Sequence, residues 1–231
     1  MDIELSMVTY AMPILLKGMT NTILFCSVSM VVGFVLAVGI ALGRFSRHAV
    51  LRRSAQWFVE LIRNTPFLVQ AFLVFFALPK LGVRFNATTA GILVLSLYAA
   101  AYFTESIRGA ILSVPKGQME AARAVGMPYF RAMRRIVFPQ MLGYLLPSLT
   151  NQVIGVIKES AALSVISVPE AAMAAQVVLG VSFNPVDTYI MVALLYWLVT
   201  ATIAAVMLRV ERRVLTRRPG KSAAPVGASA A

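Results

Sequence analysis

Charged residues are scarce in this chain. Of its 231 residues, only 13% are Asp, Glu, Lys or Arg, whereas 59% are apolar. Soluble domains have about 25% charged and about 45–50% apolar residues. This composition excludes a disordered chain and an ordinary soluble enzyme. The length must therefore be divided into membrane spans, each of which needs about 20 residues.

Cysteine and histidine are limited to one residue each, Cys26 and His48. A single cysteine cannot form an intramolecular disulfide, and so few candidate ligands predict no metal site. The sequence Gly220-Lys221-Ser222 resembles the end of a phosphate-binding loop, but Leu215 stands where that loop has its first glycine. We therefore predict that the chain binds no cofactor, has no ATP site of its own and is not an enzyme.

Long intervals with few charges predict an all-α membrane protein with five transmembrane helices. The predicted spans are residues 18–43, 57–79, 85–107, 148–168 and 188–208. Pro139 and Pro147 are expected to delay the fourth helix to about Ser148, because proline cannot donate a helical hydrogen bond. Residues 1–216 thus form one transmembrane domain, and the low-complexity residues 217–231 are expected to be a disordered cytoplasmic tail.

Positive charge is distributed unevenly among the predicted loops. Sixteen of the 21 basic residues fall in three segments, which are 44–53, 108–135 and the end of the chain from Arg209. Only Lys17, Lys80 and Arg84 fall on the opposite side. Because basic residues accumulate in cytoplasmic loops, the N-terminus is predicted outside and the C-terminus in the cytoplasm. The net charge of +12 therefore indicates contact with membrane lipid and not with nucleic acid.

Small residues recur along the first span, at Gly33, Ala37 and Ala41 and, offset, at Gly39 and Gly43. Such spacing lets two helix backbones approach closely. The pattern is compatible with packing inside one chain and equally with a dimer interface.

The stretch 115–139 is too long for a tight connection and has the pattern of two short amphipathic helices. Gly126 suits the end of the first helix and Pro128 the start of the second. The apolar positions are Ala121, Ala122 and Val125 in the first helix and Phe130, Met133 and Val137 in the second. This apolar face needs a partner, either another protein or the lipid headgroup layer.

The same stretch contains a recognisable motif. Glu120-Ala121-Ala122, Gly126 four residues later, and Phe138-Pro139 resemble the EAA signature of bacterial ABC importer permeases, in which leucine usually stands where Phe138 does. The resemblance implies that the loop forms coupling helices that dock on a cytoplasmic ATPase. Glu120, Ala121, Ala122 and Gly126 are the ATPase-coupling residues that it implies.

Flanking segments narrow the resemblance to the polar amino acid permeases of the histidine and glutamine group. Residues 60–70, 101–109 and 115–120 are similar to segments of that family, and the similarity extends over residues 13–213. Lys158 matches the family pattern near the end of the fourth span. Glu159 and the two residues after it replace the family's Asp-Thr-Ser, which leaves the identity of the transported amino acid open.

The resemblance implies a type I ABC importer permease in the bacterial cytoplasmic (inner) membrane. Its implied partners are two cytoplasmic ABC ATPase subunits, a second permease, identical or paralogous, and an extracytoplasmic solute-binding protein. ATP and Mg²⁺ would bind to the ATPase subunits and drive the translocation of polar amino acids through the permeases.

Ionised side chains inside a span cost about 2.5–3.5 kcal/mol each on insertion scales, so each one calls for a reason. Glu60 with Arg63, and Glu105 with Arg108, are spaced i, i+3 along predicted helices. Side chains at this spacing lie on the same face and can neutralise one another. We therefore interpret these four charges as structural pairs.

Lys158 and Glu159 are different because they are adjacent and point about 100° apart on a helix. Gly155 lies about one turn before them and Asn151 about two turns before them. An amino acid needs an acceptor for its ammonium group and donors for its carboxylate. Asn151, Lys158 and Glu159 supply these groups, so they either line the substrate path or form ion pairs with another helix.

Two other classes of membrane protein fit the sequence less well than an ABC permease does. A secondary carrier would need repeats of inverted topology, and five spans do not divide into two equal halves. An intramembrane enzyme would need converging acid, base or metal groups, which the sequence does not contain. An ATPase that copurifies with the chain would distinguish the ABC permease from both.

Overall fold

The computed structural model describes residues 5–216, and within that range the chain consists of helices joined by turns. The α-helices are α1 Leu5–Arg44, α2 Ala49–Asn64, α3 Phe67–Phe72, α4 Ala87–Leu112, α5 Lys116–Ala124, α6 Tyr129–Ala132, α7 Phe138–Glu159, α8 Ala171–Ser182 and α9 Pro185–Thr216. Two π turns, Leu73–Ala77 and Met133–Val137, extend α3 and α6, and two 3₁₀ turns, Leu78–Leu81 and Ser160–Ile166, follow. The tail predicted to be disordered, 217–231, lies outside the described residues.

Three helices, α1, α4 and α9, are long and apolar enough to cross a membrane, and two bent pairs bring the number of candidate spans to as many as five. Each of the five predicted spans falls on one of these helices or pairs, so the structure confirms an all-α membrane fold. α1 begins well before residue 18 and is 40 residues long. At about 1.5 Å per residue, it is roughly twice as long as the hydrocarbon layer is thick.

The segment predicted as the second span, 57–79, is not one continuous helix. α2 ends at Asn64, and the segment Phe67–Leu81 leaves it at an angle of 107°. Pro66 causes the break, because it has no N–H to donate and disfavours a helical conformation in the residue before it. Thr65 accordingly has an extended backbone with ψ 142°.

A glutamine side chain satisfies the backbone groups that this break exposes. Gln70 is buried, and its Nε2 donates to the carbonyl oxygens of Ile62 at 2.7 Å and of Thr65 at 3.1 Å. Carbonyl groups without a partner are costly in an apolar environment, and a side chain inside the protein can supply the missing donor. Gln70 therefore stabilises the bend.

The fourth helix begins earlier than the prolines predict. A nearly continuous helical segment runs over Tyr129–Ile166, so the predicted delay to Ser148 is wrong. Pro139 lies just after the π turn Met133–Val137, and this local change in the hydrogen-bond pattern accommodates a residue that has no N–H to donate. Pro147 is inside α7, where a membrane helix tolerates proline through local adjustment of its hydrogen bonds.

The stripe of small residues on α1 packs against α4 of the same chain. A Cβ atom at Gly33 would lie 2.7 Å from Ala99 Cβ and 2.9 Å from the carbonyl oxygen of Ser96. Ala37 and Ala41, on the same face, are buried. The stripe is thus an intramolecular packing surface, and α1 and α4 form the centre of the fold.

We predict that Gly33→Ala destabilises the protein, because the added methyl group would overlap backbone atoms of α4. Overpacking of this kind costs about 1–3 kcal/mol. Gly39→Ala is the matched control, since a Cβ at Gly39 meets nothing within 4 Å. Thermal unfolding of the detergent-purified protein should show a lower melting temperature for Gly33→Ala alone. Equal melting temperatures for the two variants would contradict the packing of α1 on α4.

Candidate functional site

The corner of the predicted coupling loop is formed by a helix end that requires glycine. Gly126 follows α5 and has φ +80°, a conformation that residues with a Cβ rarely adopt. Its N–H donates to the carbonyl of Arg123 at 3.0 Å, and the N–H of Met127 donates to that of Ala122 at 3.0 Å. This pair of hydrogen bonds is the usual glycine-dependent cap of a helix C-terminus.

Three large apolar side chains are exposed around this corner. Val125 is 80% exposed, Phe130 76% and Tyr129 56%. We call these three residues, together with Gly126, the apolar tip. Exposed apolar patches bordered by polar residues mark interaction sites. The tip therefore has the character of a docking surface.

The EAA residues differ in exposure. Glu120 and Ala121 are exposed, whereas Ala122 is buried. The predicted common face of Phe130, Met133 and Val137 is wrong in one respect, because Phe130 is exposed while Val137 is buried. A π turn adds a residue to the helical turn and rotates the residues after it. The π turn at Met133–Val137 accounts for the difference.

The coupling loop is attached to the bundle through α7. Nε2 of Gln140, on α7, donates to Oε1 of Gln118, on α5, at 3.2 Å. Buried Ala132 and Val137 pack beneath the loop. A force applied at the tip therefore reaches α7 directly, and α7 carries Lys158 and Glu159 at its other end.

A cluster of charged side chains joins three helices at the coupling-loop end of the bundle. Glu105, on α4, forms an ion pair with Arg108, whose Nε lies 2.9 Å from Glu105 Oε1. Nη1 of Arg44, at the end of α1, donates to Glu105 Oε2 at 2.7 Å. Nη1 of Arg63, at the end of α2, lies 3.9 Å from the same oxygen. Glu105 is thus the centre of a four-residue network rather than one half of a local pair.

Glu60 and Arg63 do not form the pair that their spacing predicts. In the described part of the chain no ion pair within 4.0 Å includes Glu60, whose Oε1 accepts instead from Gln56 Nε2 at 2.7 Å. The guanidinium carbon of Arg63 lies 5.4 Å from the ring centroid of Tyr102 on α4. Arg63 therefore points toward α4 and away from its own helix.

Asn151, Lys158 and Glu159 lie along the second half of α7. Asn151 and Lys158 are exposed, and Glu159 is partly exposed. Within residues 5–216, Lys158 and Glu159 form no ion pair and no hydrogen bond through their side chains. A Cβ at Gly155, one turn before Glu159, would meet nothing within 4 Å. The structure thus places two charged groups, which form no ion pair with any described residue, beside open space.

One structurally important residue, Glu170, was not identified from the sequence. It is 1% exposed and caps the start of α8, accepting from the N–H groups of Ala172 at 2.9 Å and Met173 at 2.7 Å. Oη of Tyr196, on α9, donates to it at 2.8 Å. Its sequence signal is that it directly follows Pro169 and is the only charged residue between Glu159 and Asp187.

α1 completes this connection from the other side. Oγ1 of Thr22 accepts from the N–H of Ala171 at 3.0 Å, and Nδ2 of Asn21 donates to the carbonyl of Pro169 at 2.7 Å. The 3₁₀ turn Ser160–Ile166 directly follows Lys158 and Glu159, and the break between this turn and α8 is stabilised by contacts from α1 and α9.

A helical membrane bundle with a rigidly attached, exposed coupling loop is the architecture of a type I ABC importer permease. Residues 29–216 match the family described as binding-protein-dependent transport system inner membrane component, and the chain belongs to this family. It is an inner-membrane permease subunit of an ABC importer, a class of subunit that has no ATP site of its own.

Similar proteins agree with this assignment over most of the chain. The probable amino-acid ABC transporter permease protein YckA of Bacillus subtilis is 40% identical over 194 residues, which are 84% of this chain and 85% of that protein. The nopaline transport system permease protein NocM of Agrobacterium fabrum is 35% identical and covers 91% of both chains. A crystal structure of an amino acid ABC transporter with histidines superimposes with a TM-score of 0.87 at 34% identity, covering 92% of this chain and all of that chain.

We predict that Gly126→Asp uncouples ATP hydrolysis from uptake or releases the ATPase, because a charge and a side chain enter the apolar tip. Gly117→Asp is the matched control, since it adds the same charge to the same loop at a position where a Cβ meets nothing within 4 Å. Copurification of the ATPase and its activity should be measured beside uptake. Normal assembly and uptake by Gly126→Asp would refute the assignment of the tip as the coupling surface.

Glu170→Gln should destabilise the protein, because the amide can place an NH₂ group against backbone N–H donors. A buried polar group left unsatisfied costs about 1–3 kcal/mol. Tyr196→Phe removes only one donor and should cost less, about 0.5–1.5 kcal/mol. Melting temperatures of the purified variants should therefore fall in the order wild type, Tyr196→Phe, Glu170→Gln. The same temperature for all three would show that the cap does not stabilise the break.

Proposed function

We propose that this permease moves polar amino acids across the cytoplasmic membrane and that Asn151, Lys158 and Glu159 line its substrate path. The observation that carries the proposal is that Lys158 and Glu159 form no ion pair within residues 5–216 and lie beside the open space at Gly155. The names of the similar permeases, which include amino-acid and nopaline transport systems, support the substrate class.

The chemistry of these side chains suits a zwitterion. The Glu159 carboxylate can accept from an ammonium group, whereas Lys158 and Asn151 can donate to a carboxylate. An intramembrane charge that has no partner in its own chain is expensive, and such residues mark substrate pathways in membrane proteins. A passing amino acid would provide both missing partners at once.

The assembly that we propose places two cytoplasmic ABC ATPase subunits against the apolar tips of two permeases, which are identical or paralogous. ATP and Mg²⁺ bind to the ATPases, and the permease itself is not an enzyme. A solute-binding protein delivers the amino acid from the outer side. In this arrangement the coupling loop faces the cytoplasm and the N-terminus lies outside, as the distribution of basic residues favours.

The test is Glu159→Gln, which keeps the shape of the side chain and removes its charge. If the carboxylate binds the ammonium group of the substrate, the variant should reach normal abundance in the membrane and keep its ATPase activity, yet take up amino acids poorly. Uptake of a mixture of the twenty ¹⁴C-labelled amino acids, divided by transporter abundance, measures this. Glu159→Asp is the matched control, because it retains the carboxylate, and it should transport at a rate near that of the wild type.

A structural role for Glu159 makes a different prediction. Breaking a buried ion pair leaves an uncompensated charge and costs about 3–5 kcal/mol. If Glu159 instead pairs with a charge on the second permease, Glu159→Gln should lower the amount of assembled transporter while uptake per assembled molecule stays normal. That result would remove Glu159 from the proposed substrate path.

A further inference from the structure

A polar cavity lies between α4 and α7 at the coupling-loop end of the bundle. Its volume is about 330 Å³, within the range of about 300–1,000 Å³ that small-molecule sites occupy. Its lining includes the polar or charged side chains of Arg63, Tyr102, Glu105, Ser106, Ser148 and Gln152. None of these residues belongs to the apolar tip or to the Lys158–Glu159 segment, so the cavity is distinct from both.

The charged residues that line the cavity are Arg63 and Glu105. Arg44 and Arg108 pair with Glu105 from outside the lining, so the cluster of three arginines and one carboxylate has a net charge of +2. Arg44 and Arg108 donate hydrogen bonds to Glu105. Arg63 lies farther away, at 3.9 Å, and forms no hydrogen bond through its guanidinium group within the described residues.

The position of Arg63 is nevertheless fixed. Its guanidinium carbon lies 5.4 Å from the centroid of the Tyr102 ring, at a distance where the cation is attracted to the face of the ring. Its side chain is 41% exposed and lines the cavity. A held arginine with unused N–H donors is suited to bind a carboxylate through two parallel hydrogen bonds.

The cavity has further donors and free space for such a ligand. Ser148 Oγ donates to Ser106 Oγ at 2.8 Å, so the Ser106 hydroxyl hydrogen remains available. Gln152 contributes an amide group to the wall. A Cβ at Gly109, which also lines the cavity, would meet nothing within 4 Å.

One face of α7 connects the cavity to the substrate path. Ser148, Gln152, Gly155 and Glu159 follow one another at intervals of three or four residues, which places them on the same side of the helix. Gln152 and Glu159 are seven residues apart, or about 10 Å along the helix axis. On the side of α4 that faces this row, the ring of Tyr98 packs against that of Tyr102, with ring centroids 4.4 Å apart. Tyr98 lies near Glu159.

We propose that this cavity is a second binding site for the transported amino acid, in which Arg63 binds its carboxylate after the amino acid has left the Lys158–Glu159 segment. The proposal rests on the proposed function for the direction of transport and for the class of substrate. The recognised group, a carboxylate, is common to all amino acids, so the site would follow the selective step and would not itself discriminate between side chains.

Arg63→Gln tests the proposal, with Arg53→Gln as the matched control. Arg53 is an exposed arginine on the same helix and does not line the cavity, so its variant removes the same charge elsewhere. Gly109→Leu is a second variant, which fills the cavity and leaves all the arginines in place. All variants are assembled with their ATPase and solute-binding partners in lipid nanodiscs or proteoliposomes.

Two measurements are made on each variant. Saturation-transfer NMR with sodium acetate reports binding of a carboxylate, and uptake of the twenty ¹⁴C-labelled amino acids per assembled transporter reports turnover. Arg63→Gln and Gly109→Leu should lower the acetate signal and the turnover about tenfold, equivalent to about 1.4 kcal/mol. Arg53→Gln should change each by less than twofold.

The proposal is overturned if Arg63→Gln keeps both the acetate signal and normal turnover. It is also overturned if Arg63→Gln loses the acetate signal but transports normally, since the carboxylate site would then lie off the transport path. Uptake by Glu159→Gln distinguishes failure of the second-site proposal from failure of the proposed function. Poor uptake by Glu159→Gln together with normal turnover by Arg63→Gln would retain the substrate path at Glu159 and remove the second site.

Discussion

Backbone polar groups at the two helix breaks must find hydrogen-bond partners inside the protein, because the surrounding bilayer offers none. The structure meets this requirement with a few polar side chains. Gln70 supplies donors at the bend after α2. Glu170 and Thr22 supply acceptors at the bend before α8. The shape of the bundle depends on these contacts, since without them neither bend could be held in an apolar environment.

The breaks in turn determine which side chains can meet. The bend at Pro66 separates α2 from the segment that follows it, and Arg63 at the end of α2 then lies against α4. α1 ends at Arg44 beside the same part of α4, where both arginines approach Glu105. Electrostatic contacts therefore join α1, α2 and α4 at the end of the bundle that carries the coupling loop. These contacts hold three helices together at the end of the bundle where we propose that the ATPase docks.

The sequence alone was sufficient to predict features that repeat along the chain or depend only on neighbouring residues. The intervals between charges indicated the long helices, and Gly126 indicated the end of α5, because only glycine readily adopts a positive φ there. Features that depend on distant parts of the chain were not predictable. The pairing of Arg44 with Glu105 joins residues 61 positions apart, and the hydrogen bond from Tyr196 to Glu170 joins residues 26 apart. The π turn at Met133–Val137, which rotates Val137 away from the face of Phe130, has no simple sequence signal, so the common face predicted for these residues was wrong.

The most tightly packed helices of the molecule, α1 and α4, are distinct from the helical segment that carries its exposed apolar and charged groups. α1 and α4 pack backbone to backbone at Gly33, which leaves little freedom for relative movement at that contact. The apolar tip, by contrast, is exposed at one end of the α6–α7 segment, and at the other end Lys158 and Glu159 form no ion pair with any residue that the structure describes. One nearly continuous helical segment thus connects the apolar tip, the proposed docking surface, to the charges of the proposed substrate path. Since α7 packs on α4, a shift of the tip that is passed on to α7 would move those charges, and with them the cavity beside Arg63, relative to the α1–α4 pair.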